Sequence, residues 1–168
     1  RAHLRFHARI DADTARAVEV RTIVDGQHLD TRQVPLAHGN NEIDWNLDVP
    51  DPRCWWPWSL GEQHLTEITV EVLVDGVVSH TLSRLTGLRE VAMQDWTFTV
   101  NQERLYLKGT AMAPTAADLA GATPERIRAD LQAIRDAGLD LVRVRAHVAR
   151  PELYDAADEL GLLVWQDL

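Results

Sequence analysis

The chain has 168 residues, of which 45% are apolar, and it carries a formal net charge of -9 at neutral pH. This apolar content is enough to bury a core, and the length fits one ordinary domain or a small domain with part of another. The acidic balance argues against nucleic acid or an anionic membrane surface as a partner, because both require a basic face.

The cysteine and histidine content limits the kinds of disulfide and metal site that the chain could form. Cys54 is the single cysteine, which excludes an internal disulfide and a cysteine-based zinc site. The seven histidines are scattered without paired ligand spacing, so we predict no metal and no cofactor. No stretch approaches the roughly 20 apolar residues of a membrane span. The compartment stays undetermined, and because the chain begins with Arg1 we expect a piece of a longer protein or a processed product.

Strand patterns fill residues 1 to 88. Apolar side chains alternate with polar ones over residues 4–10, 43–49 and 68–74, as in strands with one buried face. Asp-Gly pairs at 25–26 and 75–76 predict two-residue hairpins, because glycine accepts the positive φ of such turns. We therefore predict an antiparallel β-sandwich of immunoglobulin-like size as the first domain, residues 1–90.

A tryptophan-rich segment, residues 54–63 (CWWPWSLGEQ), lies between the runs 43–49 and 68–74 and holds three of the six tryptophans. Exposed aromatic clusters hold sugars or partner surfaces, whereas buried ones serve packing. We interpret Trp55 and Trp56 as packing within the sandwich or against a neighbouring domain. Trp58 is the one to examine for exposure.

The second domain, residues 91–168, has α/β patterns. Residues 96–108 are strand-like, and Thr123-Pro124 begins a helix that Gly138 ends. A buried strand at 141–144, a helix from Pro151 to Gly161 and a strand at 162–165 follow, which predicts a parallel sheet.

Two α/β folds compete for this pattern. A doubly wound nucleotide-binding fold needs a glycine-rich turn after its first strand, and residues 109–114 lack that fingerprint. A (β/α)₈ barrel places the loops 109–122 and 145–150 and the residues after Trp165 on one rim. We therefore predict a truncated TIM barrel, with three of its eight strands present.

Five segments, in order along the chain, resemble motifs of family 2 glycoside hydrolases, in which an immunoglobulin-like sandwich precedes a catalytic barrel. They are Pro52–Thr66 (PRCWWPWSLGEQHLT), Gly87–Val91 (GLREV), Phe98–Gly109 (FTVNQERLYLKG, the first barrel strand of the family), Leu141–Arg143 (LVR) and Tyr154–Asp167 (YDAADELGLLVWQD). Two positions depart from the family pattern. Gln102 stands where the motif has a glycine, and residues 143–147 (RVRAH) match neither the β-mannosidase nor the β-galactosidase strand end. The ending Trp165-Gln166-Asp167 is nearer to β-mannosidases.

The resemblance implies a retaining glycosidase that hydrolyses terminal β-glycosidic bonds, of β-mannoside or β-galactoside type. Such enzymes use two carboxylates about 5 Å apart. In the family these are glutamates at the ends of the fourth and seventh barrel strands, so we expect no catalytic residue within this chain and no activity of the chain alone. The alternative is a non-catalytic carbohydrate-binding module with the tryptophan segment as its platform, or a structural scaffold.

Four residues are candidates for binding the carbohydrate substrate. Arg143 could hold the nucleophile carboxylate ionised, or form a structural ion pair with Asp140 or Asp167. Asp167 could accept sugar hydroxyls or cap a loop, and Trp165 could form an apolar floor or belong to the barrel core. His147 lies on the rim, where it could bind substrate or be solvated. The incomplete sheet would leave an open edge, so we also expect self-association or partial disorder beyond about residue 110.

Overall fold

A computed structural model describes residues 1–118 and 121–167 of the chain. Leu119 and Ala120, in the predicted rim loop 109–122, and Leu168, the last residue of the predicted second domain, lie outside the described residues. The chain divides into two compact units: the first comprises Arg1–Pro52 and Thr66–Thr86, and the second comprises Arg53–Leu65 and Gly87–Leu168. The tryptophan segment therefore groups with the second unit and not with the sandwich, where its position in the sequence placed it.

The first unit is antiparallel β-structure. Its strands are β1 (Ala2–Ala12), β2 (Arg16–Val24), β3 (Gln27–Leu36), β4 (Gly39–Val49), β5 (Thr66–Val74) and β6 (Val77–Thr86). One sheet pairs β1 with β4, and the other has the order β3-β2-β5-β6. The antiparallel β prediction for this part of the chain is confirmed.

The core of the first unit lies between these two sheets and is centred on Trp45 of β4. The Trp45 ring stacks on Phe6 of β1 with 4.7 Å between ring centroids. Its Nε1–H donates to the buried Thr22 Oγ1 of β2 at 3.2 Å. This bond joins the two sheets and gives the buried indole N–H an acceptor.

Tight turns with two residues at positive φ connect the hairpins. Asp25-Gly26 and Asp75-Gly76 have φ of 47° and 76°, and of 50° and 80°, so both predicted hairpins are confirmed. Two further turns, Asp95-Trp96 and Asn101-Gln102, keep positive φ without glycine, at 48° and 61°, and at 50° and 71°. The turn at Gln102 thus persists, at a cost of about 1 kcal/mol for a side chain in the left-handed region.

The second unit contains two sheets and two helices. A small antiparallel sheet comprises β7 (Val91–Gln94), β8 (Thr97–Val100) and β9 (Glu103–Arg104). A parallel sheet of order β10-β11-β12 comprises Gly109–Met112, Leu141–Val144 and Leu163–Gln166. The helices are α1 (Pro124–Asp136) and α2 (Pro151–Leu160).

The first parallel strand begins later than the resemblance predicts. Residues 98–109 are not one strand, because the positive φ at 101–102 reverses the chain into the β8–β9 hairpin. The parallel strand starts at Gly109, where a Cβ would lie 2.7 Å from Leu141 Cδ2. Glycine at this position therefore permits β10 to approach β11 closely.

Both predicted helices are confirmed, and the residues at their ends explain where they begin and stop. The Thr123 side chain accepts a hydrogen bond from the Arg126 backbone N–H at 3.4 Å, which caps α1 at its start. Gly138 and Gly161 follow the two helices with φ of 78° and 76°. Apolar side chains of α1 and α2 pack with those of β11: Ile127, Leu131, Val142, Val144, Leu153, Ala156, Ala157 and Leu160.

The tryptophan segment packs in the second unit. Trp55 is 0% exposed, and its indole N–H donates to the Asp158 carbonyl at 2.7 Å. Trp58 is half-buried, with its indole N–H on the Leu139 carbonyl at 2.9 Å and its backbone N–H on the Gly161 carbonyl at 3.0 Å. The packing interpretation is confirmed for Trp55. Its hydrogen-bond partner is a carbonyl near the end of α2, where helices leave such groups without internal partners.

Candidate functional site

Three of the four predicted site residues come together at the carboxyl ends of β11 and β12. Arg143 is the register partner of Trp165, so the two side chains leave the same face of the sheet. The opposite face carries Val142 and Val144, which pack with the helices. The Asp167 N–H donates to the Val144 carbonyl at 3.1 Å, which holds Asp167 beside the end of β11.

Arg143 and Asp167 form a forked ion pair. Arg143 Nε lies 3.1 Å from Asp167 Oδ1 and 3.2 Å from Oδ2, and Nη2 lies 3.0 Å from Oδ2. Hydrogen bonding to Asp167 and the charge of its carboxylate raise the pKa of the Arg143 guanidinium above its ordinary value. Of the two predicted structural pairings, the one with Asp167 is present, whereas Asp140 lies 3.4 Å from Lys108 Nζ.

Trp165 is exposed. It is 57% accessible, and the Arg143 guanidinium lies 5.6 Å from its ring centroid. Its register with Arg143 turns it away from the helix-packed face, and both alternatives for Trp165, an apolar floor or the barrel core, stay predictions. A guanidinium donor, a carboxylate acceptor and an aromatic face thus share one open strand end, and these are the groups that hold polyhydroxylated rings.

His147 lies apart from this cluster, in the loop 145–150. Its Nδ1 is 2.9 Å from the Arg145 carbonyl, so Nδ1–H donates there and Nε2 remains available as an acceptor in the neutral imidazole. The imidazole lines a cavity of about 20 Å³ together with Met112 and Leu153. This volume suits a single water molecule. The structure therefore places His147 in the rim loop but gives it different neighbours from Arg143.

Two residues that the sequence did not single out, Gln166 and Tyr154, connect the loop to the cluster. The Tyr154 hydroxyl donates to Gln166 Oε1 at 2.5 Å. Gln166 Nε2 donates to the carbonyls of His147 at 2.8 Å and Asp167 at 2.6 Å. Both residues fall within the segment 154–167 that carries the family resemblance, which is the only signal that could have drawn attention to them.

Residues 1–118 and 121–167 contain neither a group of metal-ligand side chains nor a membrane-spanning helix. No group of three or more His, Cys, Asp or Glu side chains there could hold a metal ion. None of the helices in the same ranges has the length and apolar character needed to cross a bilayer.

Comparison with known proteins identifies relatives along the whole chain. Beta-mannosidase A of Aspergillus terreus is 26% identical over 99% of this chain and 20% of its own length. Beta-mannosidase B of Aspergillus clavatus is 30% identical over 84% of this chain and 18% of its own length. Exo-beta-D-glucosaminidase of Streptomyces avermitilis is 28% identical over 95% of this chain and 19% of its own length. The chain thus spans about a fifth of these relatives.

Solved structures share the fold. The beta-D-mannosidase of Dictyoglomus thermophilum superimposes with a TM-score of 0.82 at 22% identity, over 98% of this chain and 22% of that one. A glycosyl hydrolase family 2 member from Bacteroides cellulosilyticus gives 0.83 at 20% identity, over 96% and 23%. The family model described as glycosyl hydrolases family 2 matches residues 1–89, more than half of the 168 residues. The chain therefore belongs to glycosyl hydrolases family 2.

Proposed function

We propose that the chain is part of a retaining glycosidase that hydrolyses terminal β-glycosidic bonds, with β-mannosides or β-galactosides as substrates. Residues 1–90 would be its immunoglobulin-like domain, and residues 91–168 the first three strands of its TIM barrel. The observation that carries the proposal is the Arg143–Asp167 pair beside Trp165 at the carboxyl ends of two parallel strands. Barrel enzymes build their active sites at this edge. Similarity to β-mannosidases over 99% of the chain supports the assignment.

Each candidate residue has a proposed role in glycoside hydrolysis. In a retaining enzyme one carboxylic acid protonates the leaving oxygen while a second carboxylate attacks the anomeric carbon. We assign both groups to glutamates of a longer enzyme, as the family resemblance implies, and no catalytic residue to this chain. Arg143 would hold the attacking carboxylate ionised, and Asp167 would orient Arg143 and accept a sugar hydroxyl. Trp165 would supply the apolar floor, and His147 would donate or accept from the rim.

The position of the cluster in the sheet supports this assignment. Arg143 and Trp165 lie on the face opposite the helices, which would be the inner face of a barrel. Side chains at the carboxyl end of that face line the substrate cavity of barrel enzymes. The place of the cluster in the sheet, and not the surface that it exposes in this chain, is therefore what supports a sugar site.

We assign a scaffold role to the first unit. A sugar-binding platform would expose the rings of the tryptophan segment, whereas Trp55 is fully buried and its N–H is bonded within the protein. Trp45, the tryptophan of the first unit, is buried as well. The carbohydrate-binding alternative therefore has less support than the scaffold.

The 168-residue chain by itself should turn over neither aryl β-mannosides nor aryl β-galactosides. It should also self-associate, because β10 and β12 are edge strands of the parallel sheet among the described residues. Measurable turnover would contradict the assignment of the glutamates outside this chain. A monodisperse monomer in light scattering would contradict the self-association.

The role of the cluster is tested in the longer enzyme. Arg143→Ala should lower kcat/KM for the preferred aryl glycoside by at least about 100-fold, because a charge-assisted contact to the nucleophile would be lost. Arg128→Ala is the matched control, since Arg128 also forms an exposed ion pair, with Glu159, but between the two helices. Equal activity of the two variants would contradict the proposed site.

A further inference from the structure

We infer that Gln166 is a positioning residue, which fixes the His147 loop and Asp167 relative to each other at the sugar-binding edge. This inference rests on the proposed glycosidase function. It concerns a residue to which the family resemblance gives no role, and neither does the rule that barrel active sites form at the carboxyl ends of strands. Gln166 is the last residue of β12, half-buried, and it bonds to three different parts of the second unit.

The chemistry of its partners fixes the orientation of the Gln166 amide. The backbone oxygens of His147 and Asp167 can only accept hydrogen bonds, so the NH₂ group must face both of them. Oε1 then faces Tyr154, whose hydroxyl must be the donor. All polar atoms of the Gln166 side chain are therefore engaged, and the two carbonyls determine which way the amide points.

The loop end of the network is under backbone strain. Ala146 has φ of 60°, a left-handed conformation that disfavours residues with a Cβ. The next residue, His147, presents its carbonyl to Gln166 at 2.8 Å. The hydrogen bond thus lies one residue from the strained position, where it can hold the loop against relaxation.

The strand end of the network determines where Asp167 lies. Its N–H is bonded to Val144 and its carbonyl to Gln166, so both backbone polar groups are held while the carboxylate faces Arg143. Removing the Gln166 amide would free the carbonyls of Asp167 and His147 together. Gln166 therefore couples two candidate sugar contacts that come from different elements.

Two substitutions separate the hydrogen bonds of Gln166. Gln166→Met keeps the length of the side chain and removes every polar contact. Gln166→Glu keeps an acceptor for Tyr154 but loses both donations to the carbonyls. Gln132→Met is the matched control, because Gln132 donates to Asp136 within α1 at 2.7 Å, away from the Gln166 network.

The first measurement is hydrogen exchange of the longer enzyme. Both Gln166 variants should speed exchange of the Asp167 amide, which donates to the Val144 carbonyl at 3.1 Å, by about ten-fold or more, because the Asp167 carbonyl loses its bond to Gln166. Exchange at Val142 and Leu163 should not change, and the control variant should match the unmodified enzyme. Unchanged exchange at Asp167 would overturn the inference.

The second measurement is steady-state kinetics of the longer enzyme. Misplacing a binding carboxylate should raise KM, and kcat/KM should fall by about ten- to a hundred-fold in both variants. A variant that is merely less stable would lose apparent kcat at an unchanged KM. Faster exchange at Asp167 with unchanged kcat/KM would make Gln166 a purely structural residue and overturn the inference. If Arg143→Ala also retains activity, the proposed function fails as well, so the two failures are distinguishable.

Discussion

The amino and carboxyl halves of one face of the parallel sheet each hold a tryptophan, and the two tryptophans have different surroundings. On the face that carries Arg143, the amino half is covered: Leu141 and Leu163 pack with Trp55 and the β8–β9 region. The carboxyl half carries Arg143 and Trp165, and both side chains are exposed. Trp55 and Trp165 thus sit over the same face of β11 and β12, one fully buried and the other mostly in water.

Hydrogen-bond partners explain the difference. The indoles of Trp55 and Trp58 donate to the carbonyls of Asp158 and Leu139, which lie at or just beyond the carboxyl ends of the helices. Such carbonyls need partners, and the tryptophan segment supplies them. Trp165 instead lies against a guanidinium that is already engaged with Asp167. The half of the face near the amino ends of the strands, the amino edge, is therefore packed for stability. We assign ligand binding to the half near their carboxyl ends, the carboxyl edge.

Trp55→Ala should have the largest effect. Removing a fully buried tryptophan and leaving the Asp158 carbonyl without its donor should lower the free energy of unfolding by about 3–5 kcal/mol. Trp96→Ala is the control, since Trp96 is 95% exposed in its hairpin turn. Urea unfolding measures both. Similar losses in the two variants would show that the amino edge contributes no special stability.

Glycine substitutions sharpen the comparison within the amino edge. Gly161 and Gly138 have nearly equal positive φ, but a Cβ at Gly161 would lie 2.6 Å from the Trp58 backbone nitrogen, whereas Gly138 has no heavy atom within 4 Å. Gly138→Ala should therefore cost about 1 kcal/mol through its backbone conformation alone. Gly161→Ala should cost more, about 2–4 kcal/mol, because the tryptophan segment must also move. Equal unfolding midpoints would argue against this tight contact.

The smallest predicted effect is a pH dependence at Asp158. Burial raises the pKa of this carboxyl above 3.8, and the nearby Arg89 opposes the rise. A raised pKa means that folding favours the protonated carboxyl. The contribution of Asp158 to the free energy of unfolding is therefore fully present below pH 3.8 and is lost as the pH rises through the folded-state pKa. Arg89→Met should raise that pKa further and steepen the loss of unfolding free energy with increasing pH. Arg128→Met, at an exposed pair, should leave the slope unchanged.

Local signals predicted much of this fold. Period-two alternation predicted the strands, Asp-Gly pairs predicted the first two hairpins, and Thr123, Gly138 and Gly161 predicted the helix ends. The rule that barrel active sites form at the carboxyl ends of strands placed Arg143 and Asp167 in one candidate site. These predictions rest on contacts within a few residues or on the topology of a parallel sheet, which sequence patterns report directly.

Long-range partners were beyond the reach of local patterns. Trp55 finds the Asp158 carbonyl 103 positions later, so nothing near Trp55 indicated that its segment leaves the sandwich. The exposure of Trp165 depends on its register with Arg143, whereas an apolar run ending in tryptophan favours burial. The role of Gln166 arises from a hydroxyl on α2 and a carbonyl in a strained loop, neither of which its own neighbours reveal.

The most direct test of the division between the two edges is Trp165→Ala, with kcat/KM measured in the longer enzyme and the free energy of unfolding measured in the 168-residue chain. We predict that kcat/KM for an aryl β-mannoside or β-galactoside falls by at least about ten-fold, because the proposed apolar floor for the sugar is lost. Since Trp165 is 57% exposed in the 168-residue chain, the stability of that chain should change by less than about 1 kcal/mol. Unchanged kcat/KM, or a loss of stability as large as that of Trp55→Ala, would contradict the account.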